Sequence, residues 1–144
     1  MGYLHLGHLS LLQVAREQNE HVAVSIFVNP TQFGADEDLE DYPRDIERDL
    51  AALEAEGVDL VWTPDNAEVY PRGYQTYVTV EHLTRGLEGA RRPGHMRGVT
   101  TVVTKLLIAF TPERAYFGQK DAQQTCAVRR LVADLGLPVE GVVC

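Results

Sequence analysis

The sequence predicts an α/β fold built on a mainly parallel, doubly wound sheet, and three observations lead to it. Short β-branched runs alternate with helical patterns of about 10 to 16 residues. One of these runs, residues 22–28, is almost wholly apolar, which is typical of a strand covered on both faces of a parallel sheet. Each helical pattern is long enough to cross from one parallel strand to the next.

The elements are assigned in order from apolar spacing and from the residues that end each segment. Helices are predicted where apolar residues recur at intervals of three and four, and strands where β-branched and aromatic residues cluster. Gly57, Pro112 and Gly136 mark helix ends. The predicted strands are 22–28, 58–62, 77–80, 114–117 and 139–143, and the predicted helices are 9–15, 45–56, 99–110 and 120–135. The buried side of the last helix is expected to carry Cys126, Val128, Leu131, Val132 and Leu135.

Length and charge limit the classes of protein that fit. The chain has 144 residues, enough for one domain spanning 1–144, and its 13 Lys+Arg against 21 Asp+Glu give a net charge of −8. That charge argues against a nucleic-acid binder. No apolar run is long enough for a membrane span and no signal-peptide pattern opens the chain, so we expect a soluble, cytoplasmic protein. Cys126 and Cys144 stand apart and are interpreted as reduced thiols.

The sharpest motif is His5-Leu6-Gly7-His8, which stands immediately before the first predicted helix. A helix N-terminus offers unpaired N–H groups and a partial positive charge, so a triphosphate can rest there. Gly7 allows close approach, while the two imidazoles project to the same side as N–H donors. The alternative is a pair of solvated histidines at a helix start.

A second motif, Gly118-Gln119-Lys120-Asp121, follows a strand and opens a helix. Backbone N–H groups in such a turn can hold an anion, although a plain solvated turn is the alternative. Because ligands bind at the carboxyl ends of parallel strands, we expect this turn to share a pocket with the histidine motif. Gln124, in the first turn of the helix, should face the same pocket.

Other polar segments suggest supporting roles. Asn29 and Gln32 follow a buried strand, where amides suit recognition of hydroxyl and carboxylate groups, or simply make a turn. Residues 85–97 are rich in arginine and form a candidate lid, with a solvated surface loop as the alternative. The acidic run 36–49 has Asp41 where a calcium loop requires glycine, so no metal site is predicted.

Five segments, taken together, closely resemble one family, the pantothenate synthetases. They are Met1 to His8, Phe27 to Gly34, Asp41 to Arg44, Arg92 to His95 and Tyr116 to Asp121, and they occur in order along nearly the whole chain. The resemblance implies a Rossmann-like domain of the H-x-G-H nucleotidyltransferase type and a homodimer. It also implies ATP-dependent condensation of pantoate with β-alanine, through a pantoyl adenylate, to give pantothenate, AMP and pyrophosphate.

The resemblance also implies roles for individual residues. His8 would act as proton donor, and His5 and Lys120 would join it in neutralising the charge that develops on the leaving pyrophosphate. ATP, with Mg²⁺ carried on it, would be bound by Met1, Gly2, Tyr3, Leu4, His5, Leu6, Gly7, His8, Gly118, Gln119, Lys120 and Asp121. The substrates pantoate and β-alanine would be bound by Gln32, Gln124, Asn29, Tyr42, Glu88 and Arg92. Leu6 and Gln119 stand where the family usually has acidic residues.

Two alternatives to the ligase stay open at this stage. A related H-x-G-H adenylyltransferase would keep the nucleotide on its product, and a non-catalytic nucleotide-binding or dimerising module would not turn over at all. Relatives carry a strand before the first motif and a further C-terminal domain. We therefore expect residues 1–144 to be a truncated core of the nucleotide-binding domain.

Overall fold

The computed structural model describes residues 2–34 and 39–144, which pack as two units. One unit comprises residues 1–28 and 41–65, and the other comprises residues 29–40 and 66–144. Each unit contains one pair of parallel strands together with helices. The single domain expected over 1–144 stays a prediction.

The first unit is a helix followed by a β-α-β element. Its elements are α1 (Leu6–Gln18), β1 (Ala23–Ser25), α2 (Ile46–Ala55) and β2 (Leu60–Trp62). β1 and β2 are parallel, with Ala23 opposite Leu60 and Ser25 opposite Trp62. Both strands are shorter than predicted, and at the start of β1 the N–H of Val22 bonds the Asp59 carboxylate instead of a neighbouring strand. Ala23 is exposed, so β1 is not covered on both faces along its whole length.

The apolar residues of the first unit form a small core around α2. Leu53 is fully buried, and Leu4, Ala15, Val22 and Phe27 are also buried. α1 starts at Leu6, inside the H-x-G-H motif and not after it, because the His5 side chain caps the helix. Gly7 and His8 therefore belong to the first helical turn.

The second unit is built on two long helices and the other strand pair. Its elements are a 3₁₀ turn (Pro30–Gln32), α3 (Asn66–Val69), α4 (Leu87–Arg91), α5 (His95–Phe110), β3 (Arg114–Phe117), a 3₁₀ turn (Gln119–Asp121), α6 (Ala122–Leu135) and β4 (Glu140–Val143). β3 and β4 are parallel, with Arg114 opposite Glu140. α5 packs against α6 through a core of Met96, Val99, Val102, Leu107, Ala127, Val128 and Leu131.

The predicted strand 77–80 is wrong. The backbone N–H of Val78 donates to Thr101 Oγ1 at 3.0 Å, and the Val78 carbonyl accepts from Thr100 Oγ1 at 2.6 Å. Because these backbone groups are already bonded to side chains of α5, they are not available to a neighbouring strand. The apolar alternation of this segment fits packing against a helix equally well.

The ends and faces of the long helices also differ from the prediction. α5 begins at His95, four residues before the predicted start at residue 99. Gly94 has a φ of 86°, so the backbone turns at this residue and the helix begins directly after it. Segment 85–97 is thus partly helical and not a plain loop. On α6, Cys126 and Leu135 are exposed, contrary to prediction, because the buried face runs through Thr125, Ala127, Val128 and Leu131.

None of the helices in the described ranges is long and apolar enough to cross a bilayer. Cys126 and Cys144 are exposed free thiols. Within residues 2–34 and 39–144, no group of three or more His, Cys, Asp or Glu side chains is placed to hold a metal ion.

Candidate functional site

The two histidines of the H-x-G-H motif cap α1 through reciprocal hydrogen bonds. His5 Nδ1 accepts the N–H of Gly7 at 3.0 Å, and His8 Nδ1 accepts the N–H of His5 at 3.2 Å. Because each Nδ1 is an acceptor, the neutral form of each ring carries its proton on Nε2. The ring centroids lie 4.0 Å apart. In this tautomer the motif carries two adjacent Nε2–H groups, and their role as donors to a ligand stays a prediction.

Gly7 is required by the histidine cap itself. A Cβ at this position would lie 2.9 Å from Cε1 of His5, so the ring occupies the space that a side chain would fill. The backbone N–H groups of Gly7, His8 and Leu9 are all bonded to His5. The expectation of unpaired N–H groups for a phosphate at this helix start is therefore wrong for these three, since His5 uses them. Leu6 is 83% exposed.

A buried carboxylate holds the residues just before the motif. Asp49 is 1% exposed. It accepts the N–H of Tyr3 on Oδ2 at 2.6 Å and the N–H of Leu4 on Oδ1 at 2.7 Å. Sequence reasoning missed this residue, although one signal was present: Asp49 lies on the same helix face as Ile46 and Leu53. A carboxylate on an apolar face needs a partner.

Tyr42 precedes α2 and is half-buried. Burial raises the pKa of its hydroxyl above the ordinary value, and the negative charge of Asp49 raises that pKa further. The hydroxyl is therefore protonated at neutral pH and can donate a hydrogen bond.

Asn29 forms the centre of a buried network in the second unit. Its side chain is 1% exposed. Oδ1 accepts from the hydroxyls of Tyr70 at 2.8 Å and Thr31 at 2.9 Å, and Nδ2 donates to Gln32 Oε1 and to the Gly98 carbonyl, both at 3.1 Å. A Cβ on Gly98 would lie 2.3 Å from the Thr31 carbonyl oxygen, so the network needs glycine there. Asn29 is thus placed to position Gln32, whereas the sequence assigned it to substrate contact.

Gln32 is fixed from two sides. Its Oε1 accepts from Asn29, which orients the amide and sets the direction of its NH₂ group. Its backbone carbonyl lies 2.7 Å from His95 Nδ1, and His95 Nε2 lies 3.2 Å from Arg92 Nη1. Since arginine only donates, Nε2 accepts and Nδ1–H donates to Gln32. Arg92 and Gln32, both predicted site residues, are therefore linked through His95.

The Gly118–Asp121 turn is held by the end of β4. The N–H of Gln119 donates to the Cys144 carbonyl at 2.7 Å, and the N–H of Cys144 donates to the Phe117 carbonyl at 3.0 Å. Lys120 is exposed. Gly118 has a φ of −73°, and a Cβ there would meet nothing within 4 Å. Among the described residues, nothing therefore demands glycine at this position.

Gln123, which sequence reasoning also missed, joins α6 to the arginine-rich segment. Its Nε2 donates to the carbonyls of Leu83 at 2.9 Å and Gly86 at 2.7 Å, and its Oε1 accepts from the N–H of Gly89 at 3.4 Å. A glutamine has no distinctive spacing, so only the fold brings these groups together.

The remaining predicted residues are distributed between the units. Gln124 is half-buried in the first turn of α6, and Glu88 is exposed on α4. Met1 and residues 35–38, which include the first three residues of the acidic run, lie outside the described residues. His8 belongs to the first unit and Lys120 to the second, and their shared pocket stays a prediction.

Comparisons with a family model and with curated proteins point to the same family. The family model described as pantoate-beta-alanine ligase matches residues 1–144. The pantothenate synthetase of Roseiflexus castenholzii is 63% identical over the whole chain and 52% of its own length. That of Acetivibrio thermocellus is 58% identical over the whole chain and 51% of its own length. The chain spans about half the length of the curated relatives it matches.

Solved structures match equally well. The pantothenate synthetase of Thermus thermophilus superposes with a TM-score of 0.98 at 56% identity, over all of this chain and 52% of that one. The Francisella tularensis pantoate-beta-alanine ligase, complexed with beta-gamma ATP and beta-alanine, has a TM-score of 0.97 at 40% identity, over all of this chain and 56% of that one. Together with the parallel strand pairs, these matches confirm the predicted Rossmann-like α/β class.

Proposed function

The chain belongs to the pantoate–β-alanine ligase family, and on that premise we propose that the whole protein condenses pantoate with β-alanine at the expense of ATP. The proposed intermediate is a pantoyl adenylate, and the products are pantothenate, AMP and pyrophosphate. The observation that carries the proposal is the family match, which runs from residue 1 to residue 144.

The first step joins pantoate to the α-phosphorus of ATP. An ionised carboxylate oxygen forms the new bond to phosphorus, and the bond to the bridging oxygen breaks with its electron pair on pyrophosphate. This attack needs positioning and charge neutralisation, not a general base. We assign charge neutralisation to the Nε2–H groups of His5 and His8 and to the ammonium group of Lys120. The acceptor role of both Nδ1 atoms supports the histidine assignment.

We assign two segments to ATP, residues 1–8 and 118–121. In the first, the N–H groups of Tyr3 and Leu4 are bonded to Asp49, so imidazole nitrogens are better phosphate donors than these backbone groups. In the second, the open space at Gly118 supports close approach of a nucleotide, since none of the residues that the structure describes lies within 4 Å of a Cβ placed there. ATP arrives as its Mg²⁺ complex.

The second step joins the intermediate to β-alanine. The amine attacks the carbonyl carbon of the adenylate, AMP leaves with the electron pair of the broken bond, and the new amide loses a proton. We assign the substrates to Gln32, Gln124, Tyr42, Glu88 and Arg92, with Asn29 holding Gln32 in place. The fixed amide of Gln32 and the raised pKa of the Tyr42 hydroxyl support hydrogen-bond donation to pantoate oxygens.

An adenylate is a mixed anhydride that water destroys, so the site needs a cover. We propose segment 85–97 as that cover, because it carries four arginines on a chain with a net charge of −8. We also propose a cytoplasmic homodimer; light scattering on the purified protein tests the dimer, and fractionation of cells tests the location.

Isotope exchange tests the ligase proposal. The full-length protein should exchange labelled pyrophosphate into ATP only when pantoate is present, and should release free AMP when β-alanine is added. A product that retains the nucleotide would instead identify a related adenylyltransferase. ATP binding without exchange would identify a non-catalytic module.

A further inference from the structure

Asp49 is a buried carboxylate to which the proposed chemistry gives no role. It lies on α2 and is 1% exposed, and both of its oxygens are bonded to backbone N–H groups 45 and 46 residues away. Charge-assisted bonds at 2.6 and 2.7 Å are among the stronger hydrogen bonds in proteins. The carboxylate therefore holds Tyr3 and Leu4.

The backbone that Asp49 holds has an unfavourable conformation. Gly2 has a φ of 117° and Tyr3 a φ of 52°, both in the left-handed region. A non-glycine residue such as Tyr3 occupies that region at a cost, and it stays there only when surrounding bonds determine it. A Cβ on Gly2 would lie 3.2 Å from Ile26 Cγ2 and 3.4 Å from Asp49 Oδ2, so the turn is also tightly packed.

The preceding residue of α2 completes the attachment. Arg48 Nη2 donates to the Leu4 carbonyl at 3.0 Å, and its guanidinium carbon lies 4.6 Å from the centroid of the Tyr3 ring. Both backbone polar groups of Leu4 are thus bonded to α2. His5, the next residue, is the cap of α1.

We propose that Asp49 and Arg48 are positioning residues for ATP: they hold the left-handed turn at residues 2–4 and thereby fix the direction of the His5 and His8 imidazoles. The proposal rests on the proposed function, since it takes those imidazoles as the nucleotide-binding groups. Neither residue is assigned a contact with ATP. Their loss should therefore weaken ATP binding through the histidines while pantoate affinity stays unchanged.

Asp49→Asn tests this in the full-length protein. The amide keeps the shape of the carboxylate but turns an NH₂ group toward one of the two backbone N–H groups, so one bond is lost. We expect hydrogen exchange at the amides of Tyr3 and Leu4 to accelerate at least tenfold. We also expect KM for ATP to rise at least tenfold and KM for pantoate to change less than twofold. The matched control is Glu54→Gln, which removes one exposed negative charge from the same helix.

Arg48 provides a second test if Asp49→Asn does not fold. Arg48→Gln should raise KM for ATP about fivefold, and Arg48→Lys, which can still reach the Leu4 carbonyl, should recover part of that loss. Unchanged amide exchange in the folded Asp49 variant would overturn the proposal. So would accelerated exchange with unchanged affinity for ATP, or a KM for pantoate that rises as much as that for ATP.

Failure of the proposed function can be recognised separately. If the wild-type protein shows no pantoate-dependent exchange, calorimetry with ATP replaces the kinetic measurement. Weaker ATP binding by Asp49→Asn than by Glu54→Gln would then support the positioning role, and equal binding would overturn it.

Discussion

Asp49 in the first unit and Asn29 in the second are both 1% exposed, and each holds a candidate binding group through its buried polar atoms. They differ in how far along the chain that group lies. Asn29 bonds Gln32, three residues away, whereas Asp49 bonds Leu4, 45 residues away. The Asn29–Gln32 bond lies within one short segment of the sequence, whereas the Asp49–Leu4 bond joins segments that only the folded chain brings together.

The two regions also differ in what they leave accessible. His5 is exposed, and its ring bonds depend on a short helix cap. Asn29 is enclosed, and its bonds reach Thr31, Tyr70 and Gly98 in different parts of the second unit. Substitutions in the first region should therefore affect chemistry more than stability, and substitutions in the second should affect both.

The largest effect is expected from His8→Ala. Losing one donor to developing charge typically costs about 10²–10³ in rate, so pyrophosphate exchange should fall at least tenfold. The helix cap loses one acceptor, which should lower the free energy of unfolding by only about 1 kcal/mol. Exchange kinetics and urea unfolding measure the two effects. His21→Ala is the control, since His21 is an exposed histidine of the same unit, and an equal loss there would contradict the assignment.

Asn29→Ala should destabilise the protein more than His8→Ala. The substitution removes the amide that bonds the Gly98 carbonyl and the Thr31 and Tyr70 hydroxyls, and each buried hydrogen bond lost costs about 1–3 kcal/mol at most, since the two hydroxyls still lie 3.0 Å apart. We expect the free energy of unfolding to fall by about 3 kcal/mol and KM for pantoate to rise, because Gln32 loses its orientation. Urea unfolding measures the stability change, and Gln75→Ala, at an exposed position, is the control. Equal stabilities would show that the network contributes nothing.

Much of the fold was predictable because it depends on local pattern. β3 matches the predicted strand 114–117, a short run that ends in two aromatic residues, Tyr116 and Phe117. The incorrect strand at 77–80 is richer in β-branched residues, but Thr100 and Thr101 bond the backbone groups of Val78. The local sequence does not show whether backbone N–H and C=O groups will bond to a neighbouring strand or to side chains from a distant part of the chain.

Substitutions of Gly98 and Gly118 distinguish a glycine needed for packing from a glycine needed for the approach of a ligand. Gly98→Ala would place a Cβ 2.3 Å from the Thr31 carbonyl oxygen, and overpacking of this kind costs about 1–3 kcal/mol. Gly118→Ala meets nothing within 4 Å at a φ of −73°, so stability should stay within about 0.5 kcal/mol of wild type. KM for ATP should nevertheless rise severalfold in the Gly118 variant. Thermal unfolding with ATP kinetics measures both, and unchanged kinetics for Gly118→Ala would argue against nucleotide approach there.

The candidate site was predictable to the extent that its residues form motifs. His5, His8, Gln32 and Lys120 are marked by spacing and by their positions at the ends of elements. Gln123 is not, and Asp49 is marked only by its place on the apolar face of α2, since the partners of both are backbone groups that any residue could supply. The sequence also assigned unpaired N–H groups to the start of α1, where His5 in fact accepts their hydrogen bonds.

The smallest effect is expected from Gln123→Glu. The substitution replaces an NH₂ donor with a carboxylate oxygen that faces the carbonyls of Leu83 and Gly86. The two hydrogen bonds are lost, so the arginine-rich segment 85–97 is held less firmly. Loss of about 1 kcal/mol corresponds to roughly fivefold faster tryptic cleavage at Arg85 and Arg91. Gln75→Glu makes the same charge change elsewhere in the unit and should leave the cleavage rate unaltered. Equal rates in the two variants would mean that Gln123 does not hold the segment.

The most direct test of the claim that His5 and His8 present Nε2–H groups to ATP is to determine which nitrogen of each imidazole carries the proton. Long-range ¹H–¹⁵N spectra at about pH 8, where an ordinary imidazole is neutral, distinguish the two ring nitrogens. We predict the Nε2–H form for both rings, and a shift of both Nε2 signals on addition of a non-hydrolysable ATP analogue, with His21 unchanged. An Nδ1–H form in either ring, or Nε2 signals that do not shift when the nucleotide analogue is added, would contradict the account.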